Sequence, residues 1–348
     1  MMTVPVLSAP GTFSFVSVPR PSTAALAPGQ ALVRVVAGGI CGSDLPYFRG
    51  APLPDLDPPA QASFDGPASS HGPAPASFEG PAPARAGCPM HEIAGELVGA
   101  RPGPDGGEAL PVGSAVVGWA TSFDGLADYV VTDLAGLAPY PPRLPAEEAV
   151  LIQPLACVLY AVARLGDVSG LDCAVLGLGS IGLLFCHVLK DRGAARVVGV
   201  DRVDRADVAA GFGVDGLHWC STERWAVTEL DPARLPSLVI EAVGHQVSTL
   251  QHALEAIAPS GTVFYFGVND DRFYPLDMEL MLRKNLTLMS GGTLDRRRML
   301  EEAADYLSRY PELVRLSITN RFPRDEVQRA YELAAIPVAG RLKVVIVN

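Results

Sequence analysis

The sequence predicts an α/β protein built from a β-rich domain and a domain with a doubly wound parallel sheet. Early in the chain, short apolar runs are separated by Gly and Pro, which is typical of strands joined by turns. After residue 148, continuously apolar strands alternate with helical segments, as in a parallel sheet that is covered on both faces. With 348 residues, 49% of them hydrophobic, the chain is long enough to form two substantial cores.

The β-rich domain is expected over residues 1–150, and residues 290–348 are expected to complete it. Its clearest strands are predicted at residues 31–36, 115–119 and 127–131. The parallel-sheet domain is expected over residues 151–289. Its strands are predicted at residues 173–176, 196–200, 237–242 and 262–266, and its helices at residues 149–165, 181–191 and 246–257.

Residues 51–90 differ from the rest of the chain. Pro, Ala and Gly supply more than half of these positions, and residues 62–68 recur with one substitution as residues 76–82. Such a composition disfavours helix and sheet, because Pro lacks a backbone donor and Gly adds chain entropy. We expect a long loop, either mobile or pinned by Phe64 and Phe78.

The charge and cysteine content limit the partners and the compartment. The formal net charge is −11, so nucleic acids and anionic membranes are unfavourable partners. No basic N-terminal segment precedes an apolar stretch, and we expect no apolar run long enough to span a bilayer. The six cysteines are scattered, which favours reduced thiols in a cytoplasmic protein.

A glycine-rich turn predicts a dinucleotide site. Gly177, Gly179 and Gly182 follow a buried strand and open a helix. The first permits the tight turn, the second lets a pyrophosphate approach the backbone, and the third allows close helix–strand packing. The N–H groups around Ser180 and Ile181, at the start of the helix, would then face the phosphates.

The preferred cofactor is predicted from the end of the next strand. Asp201 lies where a carboxylate would bind the ribose hydroxyls and repel a 2′-phosphate, which favours NAD over NADP. Arg202 and Arg205 follow directly, and either could attract a 2′-phosphate instead. The alternative is a flexible glycine turn beside an ordinary surface aspartate.

Two further motifs define a family resemblance. Residues 39–45 are Gly-Ile-Cys-Gly-Ser-Asp-Leu, and residues 91–95 are His-Glu-Ile-Ala-Gly. With the glycine motif, and in this order, they make the chain resemble the zinc-dependent medium-chain dehydrogenase/reductase family, particularly its sorbitol and threonine dehydrogenase-like branch. The resemblance spans nearly the whole chain and includes Pro-Leu-Ala-Cys at 154–157. It implies a GroES-like catalytic domain and a Rossmann domain.

The resemblance also implies the roles of particular residues. Cys41 and His91 would bind one catalytic Zn²⁺, and Glu92 would be a direct or intermittent ligand. A thiolate, an imidazole and a carboxylate can hold zinc and leave one position for a substrate oxygen. Asp44 would orient His91, and Ser43 would transfer a proton. Lys343 would bind the cofactor, and Gln153 would complete the metal site.

The chain departs from the family pattern at several of these positions. Gln153 replaces a glutamate of the branch, so charge counting leaves Cys41 and Glu92 to neutralise the metal. Pro46 replaces a histidine that relays protons in many relatives. Cys88 could supply a replacement thiolate, although a loop cysteine is the simpler interpretation. No cysteine lies between Cys88 and Cys157, so we expect no structural zinc.

The function predicted from these features is NAD(H)-dependent interconversion of a secondary alcohol and a ketone or related carbonyl by zinc-assisted hydride transfer, with NADP as a possible cofactor. The unusual composition of residues 51–90 suggests a specialised substrate. One alternative is a zinc-free reductase of the same fold that acts on a conjugated double bond. Another is a non-catalytic protein that binds a dinucleotide or a partner. We expect a homodimer that pairs edge strands at residues 262–268 and around residues 286–289.

Overall fold

Two large sheets organise the chain in the computed structural model, which describes residues 1–53, 85–104, 110–269 and 273–348. The predicted α/β class, with a parallel Rossmann-type sheet, is confirmed. Phe64 and Phe78, with most of the Pro/Ala/Gly-rich segment, lie outside the described residues.

Strands dominate the first part of the described chain, and helices become frequent after residue 145. The strands are β1 (Met2–Ala9), β2 (Thr12–Val18), β3 (Gln30–Ile40), β4 (Glu92–Arg101), β5 (Ala115–Trp119), β6 (Tyr129–Asp133), β7 (Leu137–Pro139), β8 (Asp172–Leu176), β9 (Arg196–Asp201), β10 (Gly216–Trp219), β11 (Leu238–Glu241), β12 (Thr262–Tyr265), β13 (Thr287–Ser290), β14 (Ile318–Pro323) and β15 (Lys343–Val347). The helices are α1 (Leu45–Phe48), α2 (Ala146–Ala149), α3 (Ile152–Leu165), α4 (Ser180–Asp191), α5 (Thr222–Arg224), α6 (Val247–Ala256), α7 (Met278–Lys284), α8 (Arg296–Arg309), α9 (Glu312–Ser317) and α10 (Val327–Ala334).

The first large sheet is mostly antiparallel and is organised around β3. Its strand order is β14-β15-β3-β4-β5-β7, and β6 also pairs with β3. The strand β3 is long and largely buried, because it carries apolar residues on both faces where other elements cover it. Strands β14 and β15 come from the C-terminal end of the chain, so this sheet joins the two ends of the sequence.

The second large sheet is parallel, with the order β10-β9-β8-β11-β12-β13. From β8 the next strands along the chain continue toward one edge of the sheet, whereas β11 and those after it lie on the other side of β8, so the order reverses between β8 and β11. A dinucleotide binds at the carboxyl ends of the strands around such a point. Helix α4 packs closely on β8 because Gly182 has no side chain. A Cβ atom at Gly182 would lie 1.8 Å from the carbonyl oxygen of Gly177.

Two of the predicted elements are corrected by the structure. The predicted helix over residues 149–165 is divided into α2 and α3, with a turn at Val150 and Leu151. The strand β12 lies inside the parallel sheet between β11 and β13, so residues 262–268 do not form an edge. The edge on this side, among the described residues, is β13.

The expectation about apolar runs is also corrected. The stretch Ala146–Leu165 is long and apolar enough to cross a membrane by length and composition alone. It is largely buried, and α3 packs in the main hydrophobic core with α4 and α8. Its apolar character is therefore that of a core helix.

Candidate active site

One buried carboxylate fixes the geometry of two predicted metal ligands. After β3 ends, Cys41 begins a short turn that contains Asp44, and the side chain of Asp44 is completely buried. The backbone N–H of Cys41 donates to Asp44 Oδ2 at 2.9 Å, and Asp44 Oδ1 lies 2.7 Å from His91 Nδ1. Asp44 therefore holds the thiol segment and the imidazole together, which extends its predicted role.

The contact with Asp44 also sets the chemistry of His91. An ionised carboxylate only accepts hydrogen bonds, so Nδ1–H donates to Asp44 and Nε2 is the nitrogen left for a metal, which would displace the Nε2 proton on binding. Burial opposes the charged form of His91, but the charge and hydrogen bond of Asp44 raise its pKa well above the usual value. A hydrogen bond with the Cys41 side chain acts in the same direction.

Glu92 has a partner that the sequence did not reveal. Lys343 Nζ lies 2.8 Å from each carboxylate oxygen of Glu92, and both side chains are fully buried. The ammonium also donates to the carbonyl of Ile40 at 3.3 Å. Gly39 makes room for this pair, since a Cβ atom there would lie 2.2 Å from Glu92 Oε2. Lys343 is predicted to bind the cofactor, whereas in the structure its ammonium faces Glu92. The cofactor role therefore stays a prediction.

Cys41, His91 and Glu92 form a cluster that fits a zinc ion. One potential ligand atom from each residue lies within 4.8 Å of the others, and Glu92 is buried while Cys41 and His91 are half-buried. The set of sulfur, nitrogen and oxygen donors is one that zinc accepts.

Gln153 adds a second indication of a ligand site. It lies on the first turn of α3 and is only 2% exposed. Its Nε2 donates to Cys157 Sγ at 3.4 Å. Its Oε1 has no hydrogen-bond partner among the residues that the structure describes. A buried amide oxygen without a partner is costly, and a bound cation would satisfy it.

The two other cysteines near the motifs differ in their surroundings. Cys88 is buried, and its thiol donates weakly to the carbonyl of Ser122 at 3.5 Å. Burial raises the pKa of Cys88 to about 12 and that of Cys157 to about 11. Cys157 lies one helical turn after Gln153 and feels the charges of the metal-ligand cluster. Its i, i+4 spacing from Gln153 on a helix is the sequence signal that would have placed Cys157 beside the predicted metal site.

An aromatic wall lies beside the candidate metal ligands. The ring of Phe123 is 5.3 Å from the imidazole of His91 and 5.4 Å from the ring of Tyr47. Ser43 is half-buried in the turn between Cys41 and Asp44, and its role in proton transfer stays a prediction. No sequence signal pointed to Phe123, because it reaches His91 from a different loop.

The glycine turn has the geometry that a pyrophosphate needs. Gly177 has a φ of +88°, a conformation that a residue with a side chain rarely adopts. A Cβ atom at Gly179 would meet open space, so the backbone there is accessible. The N–H groups of Ser180 and Ile181 lie in the first turn of α4, where no intrahelical acceptor is present.

The residues after β9 separate into different roles. Asp201 accepts from the backbone N–H of Leu178 at 2.6 Å and from that of Val203 at 2.8 Å, so it also holds the glycine turn. Arg205 is 3% exposed and donates to the carbonyls of Val338 and Arg341 at 3.1 Å. The proposal that Arg205 attracts a 2′-phosphate is therefore wrong.

Arg202 is the remaining candidate for a 2′-phosphate contact. It is exposed and directly follows Asp201.

Comparisons with known proteins agree with this arrangement. A family model described as the glucose dehydrogenase C-terminus matches residues 148–346, which is more than half of the chain. A probable zinc-binding alcohol dehydrogenase of Mycobacterium tuberculosis is 28% identical over 341 residues, covering 90% of this chain and 81% of that protein. An (R,R)-butanediol dehydrogenase of Bacillus subtilis is 31% identical over 180 residues, which cover 50% of this chain and 51% of that protein.

The fold is also that of a solved dehydrogenase. The alcohol dehydrogenase of Thermus sp. ATN1 superposes with a TM-score of 0.76 over 100% of both chains, at 24% sequence identity. At this identity the likeness describes the fold.

Proposed function

Because the chain belongs to the zinc-dependent medium-chain dehydrogenase/reductase family, we propose that it interconverts a small secondary alcohol and a ketone with NAD(H). The observation that carries this proposal is the cluster of Cys41, His91 and Glu92. When bound, zinc supplies polarisation of the substrate oxygen, and the nicotinamide accepts or supplies the hydride.

The residues around the cluster have distinct tasks in this proposal. Asp44 keeps the imidazole of His91 in the tautomer that presents Nε2. Gln153 completes the metal site through Oε1. Ser43 passes the proton between substrate and solvent, since Pro46 has no side chain that could do so. The ring of Phe123 excludes water from one side of the substrate.

The cofactor is proposed to be NAD. The free lone pairs of Asp201 bind the ribose hydroxyls and repel a 2′-phosphate. The burial of Arg205 supports this preference, since of the two arginines that closely follow Asp201 it leaves Arg202 alone to attract that phosphate. Lys343 is proposed to approach the cofactor from its position beside Glu92. One similar solved structure contains NADH and another contains NADP, and comparing the dissociation constants of this chain for the two cofactors tests the preference.

We also propose two domains, a cytoplasmic location and a homodimer. The domains are those of the sequence prediction, residues 1–150 with 290–348 and residues 151–289, and no structural zinc is expected. All six cysteines lie in the described ranges and none is in a disulfide, which is typical of a reducing compartment.

The dimer is supported by the edge of the parallel sheet. Strand β13 is unpaired on one side within the described part of the chain, and an unpaired strand is a template for a second copy. Beside it in sequence, Met278 and Leu282 on α7 are 64% and 80% exposed. Light scattering at micromolar concentration should give twice the mass of the chain, and a monomeric mass would refute the dimer.

Steady-state reduction of NAD, with secondary alcohols that include 2,3-butanediol and threonine, tests the proposed function. Activity should require zinc. Metal analysis measures how much zinc the purified protein holds. Activity on a conjugated double bond without metal would favour the zinc-free alternative. Cofactor binding without turnover on any of these substrates would favour the non-catalytic alternative.

A further inference from the structure

Trp219 is exposed where a large aromatic side chain is costly to leave in water. It is 66% exposed, whereas the two other tryptophans, Trp119 and Trp225, are 9% and 2% exposed. It is the last residue of β10, at the carboxyl end of the edge strand in the parallel sheet. Its position matters because ligands of such sheets bind at the carboxyl ends of the strands, where this ring is exposed.

The position of Trp219 relative to Asp201 is fixed by the sheet. The two residues are register partners on the neighbouring parallel strands β10 and β9. Partners of this kind direct their side chains to the same face, and neighbouring strands lie about 4.8 Å apart. The indole Nε1 donates to the carbonyl of Arg202 at 2.9 Å, which holds the ring beside the segment that follows Asp201.

The order of the strands gives the direction of a bound dinucleotide. The glycine turn for the pyrophosphate follows β8, and Asp201 for the adenosine ribose ends β9. The base is attached to the ribose carbon next to the one that bears the 2′-hydroxyl. Moving along the sheet from β8 to β9, the next strand is β10, whose last residue is Trp219.

We infer that Trp219 stacks on the adenine of the dinucleotide and is a binding residue for the adenosine half. This inference rests on the proposed function, because it requires a dinucleotide at the glycine turn. An indole offers a large π-face to any base, and its hydrogen bond to Arg202 keeps the ring in place before the ligand arrives. Preorganisation of this kind reduces the entropy lost on binding.

The experiment compares Trp219→Ala and Trp219→Phe with the unchanged full-length protein. Dissociation constants are measured by calorimetry for four ligands: NADH, ADP-ribose, AMP and nicotinamide mononucleotide. Base stacking on an aromatic ring predicts that Trp219→Ala weakens the three adenine ligands about tenfold. The nicotinamide mononucleotide has no adenine, so its binding should not change. Val227→Ala, at a position that is 72% exposed on a neighbouring segment, is the matched control and should leave all four constants unchanged.

Intrinsic fluorescence provides a second measurement that does not depend on the alanine variant. AMP should quench the tryptophan emission of the unchanged protein, because adenine contacts the exposed indole. In Trp219→Phe, the emission of the two buried tryptophans should not respond to AMP, although AMP still binds with nearly unchanged affinity.

The outcomes separate this inference from the proposed function. Equal affinity for AMP in Trp219→Ala and the unchanged protein overturns the inference, as does equal quenching in Trp219→Phe. Equal weakening of nicotinamide mononucleotide also overturns it, because the effect would not be specific for adenine. If the unchanged protein binds none of the four ligands, the proposed function fails as well.

Discussion

Replacing Gln153 by Glu tests the charge balance of the metal site. The side chain is 2% exposed, and its Oε1 has no partner in the described ranges. The substitution keeps the shape of the side chain and adds one negative charge. The two groups of the site that carry or favour positive charge, Lys343 and His91, already face Glu92 at 2.8 Å and Asp44 at 2.7 Å, so neither is free to compensate a second carboxylate.

The expected size of the effect follows from this lack of compensation. A buried charge left without its partner costs about 3 to 5 kcal/mol. Because the new carboxylate could bind a proton instead, we expect the lower end, about 3 kcal/mol of unfolding free energy in the metal-free protein at pH 8. Zinc offsets this penalty, and about 3 kcal/mol corresponds to a rise in zinc affinity on the order of 100-fold in the variant.

The assay is urea unfolding of the chelator-treated and the zinc-loaded protein. For Gln153→Glu, the stability gained on adding zinc should be larger than for the unchanged protein. Gln153→Met is the control, since it fills the same space without an oxygen atom. In that variant the metal-free protein should keep its stability and the retention of zinc after mild chelation should fall.

Two results would refute this reasoning. If the metal-free Glu variant is as stable as the unchanged protein, the new carboxylate is not in a buried and uncompensated position. If zinc retention is the same in all three proteins, Gln153 does not contact the metal, and its unpartnered oxygen has another explanation.

Two further predictions concern the charged residues Asp124 and Lys343. Burial raises the pKa of Asp124 to about 6 from 3.8, so the folded state binds its proton more tightly and stability is lost as pH rises from about 4 to about 6. Asp124→Asn should therefore stabilise the protein by about 2 to 3 kcal/mol at pH 8 and have little effect at pH 4, as measured by urea unfolding. Lys343→Met should lower the unfolding free energy by about 3 to 5 kcal/mol, because Glu92 loses its partner. Adding Glu92→Gln to that variant should recover part of the loss, and no recovery would contradict the assigned pairing.

Much of the fold could be predicted from local patterns. The glycine turn, the apolar strands and the strand–helix alternation depend on neighbouring residues, so the parallel sheet was predictable. The edge of the sheet was less accessible, because β12 and β13 are both short and apolar. Only the strand order, which depends on tertiary pairing, distinguishes the inner strand from the edge.

The candidate site shows the limit of motif reasoning more clearly. The contact between Asp44 and His91 was expected from the motifs. The pair of Glu92 and Lys343 joins residues 251 positions apart, and no pattern in the sequence links them. Arg205 looked available because it follows Asp201 closely, yet its guanidinium is buried against backbone carbonyls from the end of the chain.

The buried pair of Glu92 and Lys343 changes the charge balance that the sequence suggested. Counting formal charges, the Cys41 thiolate and Glu92 would together neutralise Zn²⁺. In the structure the charge of Glu92 is already balanced by Lys343, and Gln153 contributes none. Among the predicted ligands, the Cys41 thiolate, with Asp44 acting through His91, is then left to stabilise the cation. Zinc binding at this site therefore requires either that Glu92 leaves Lys343 or that the metal is held with less negative charge. Both routes weaken retention, so the same contact that stabilises the fold makes the metal easier to remove.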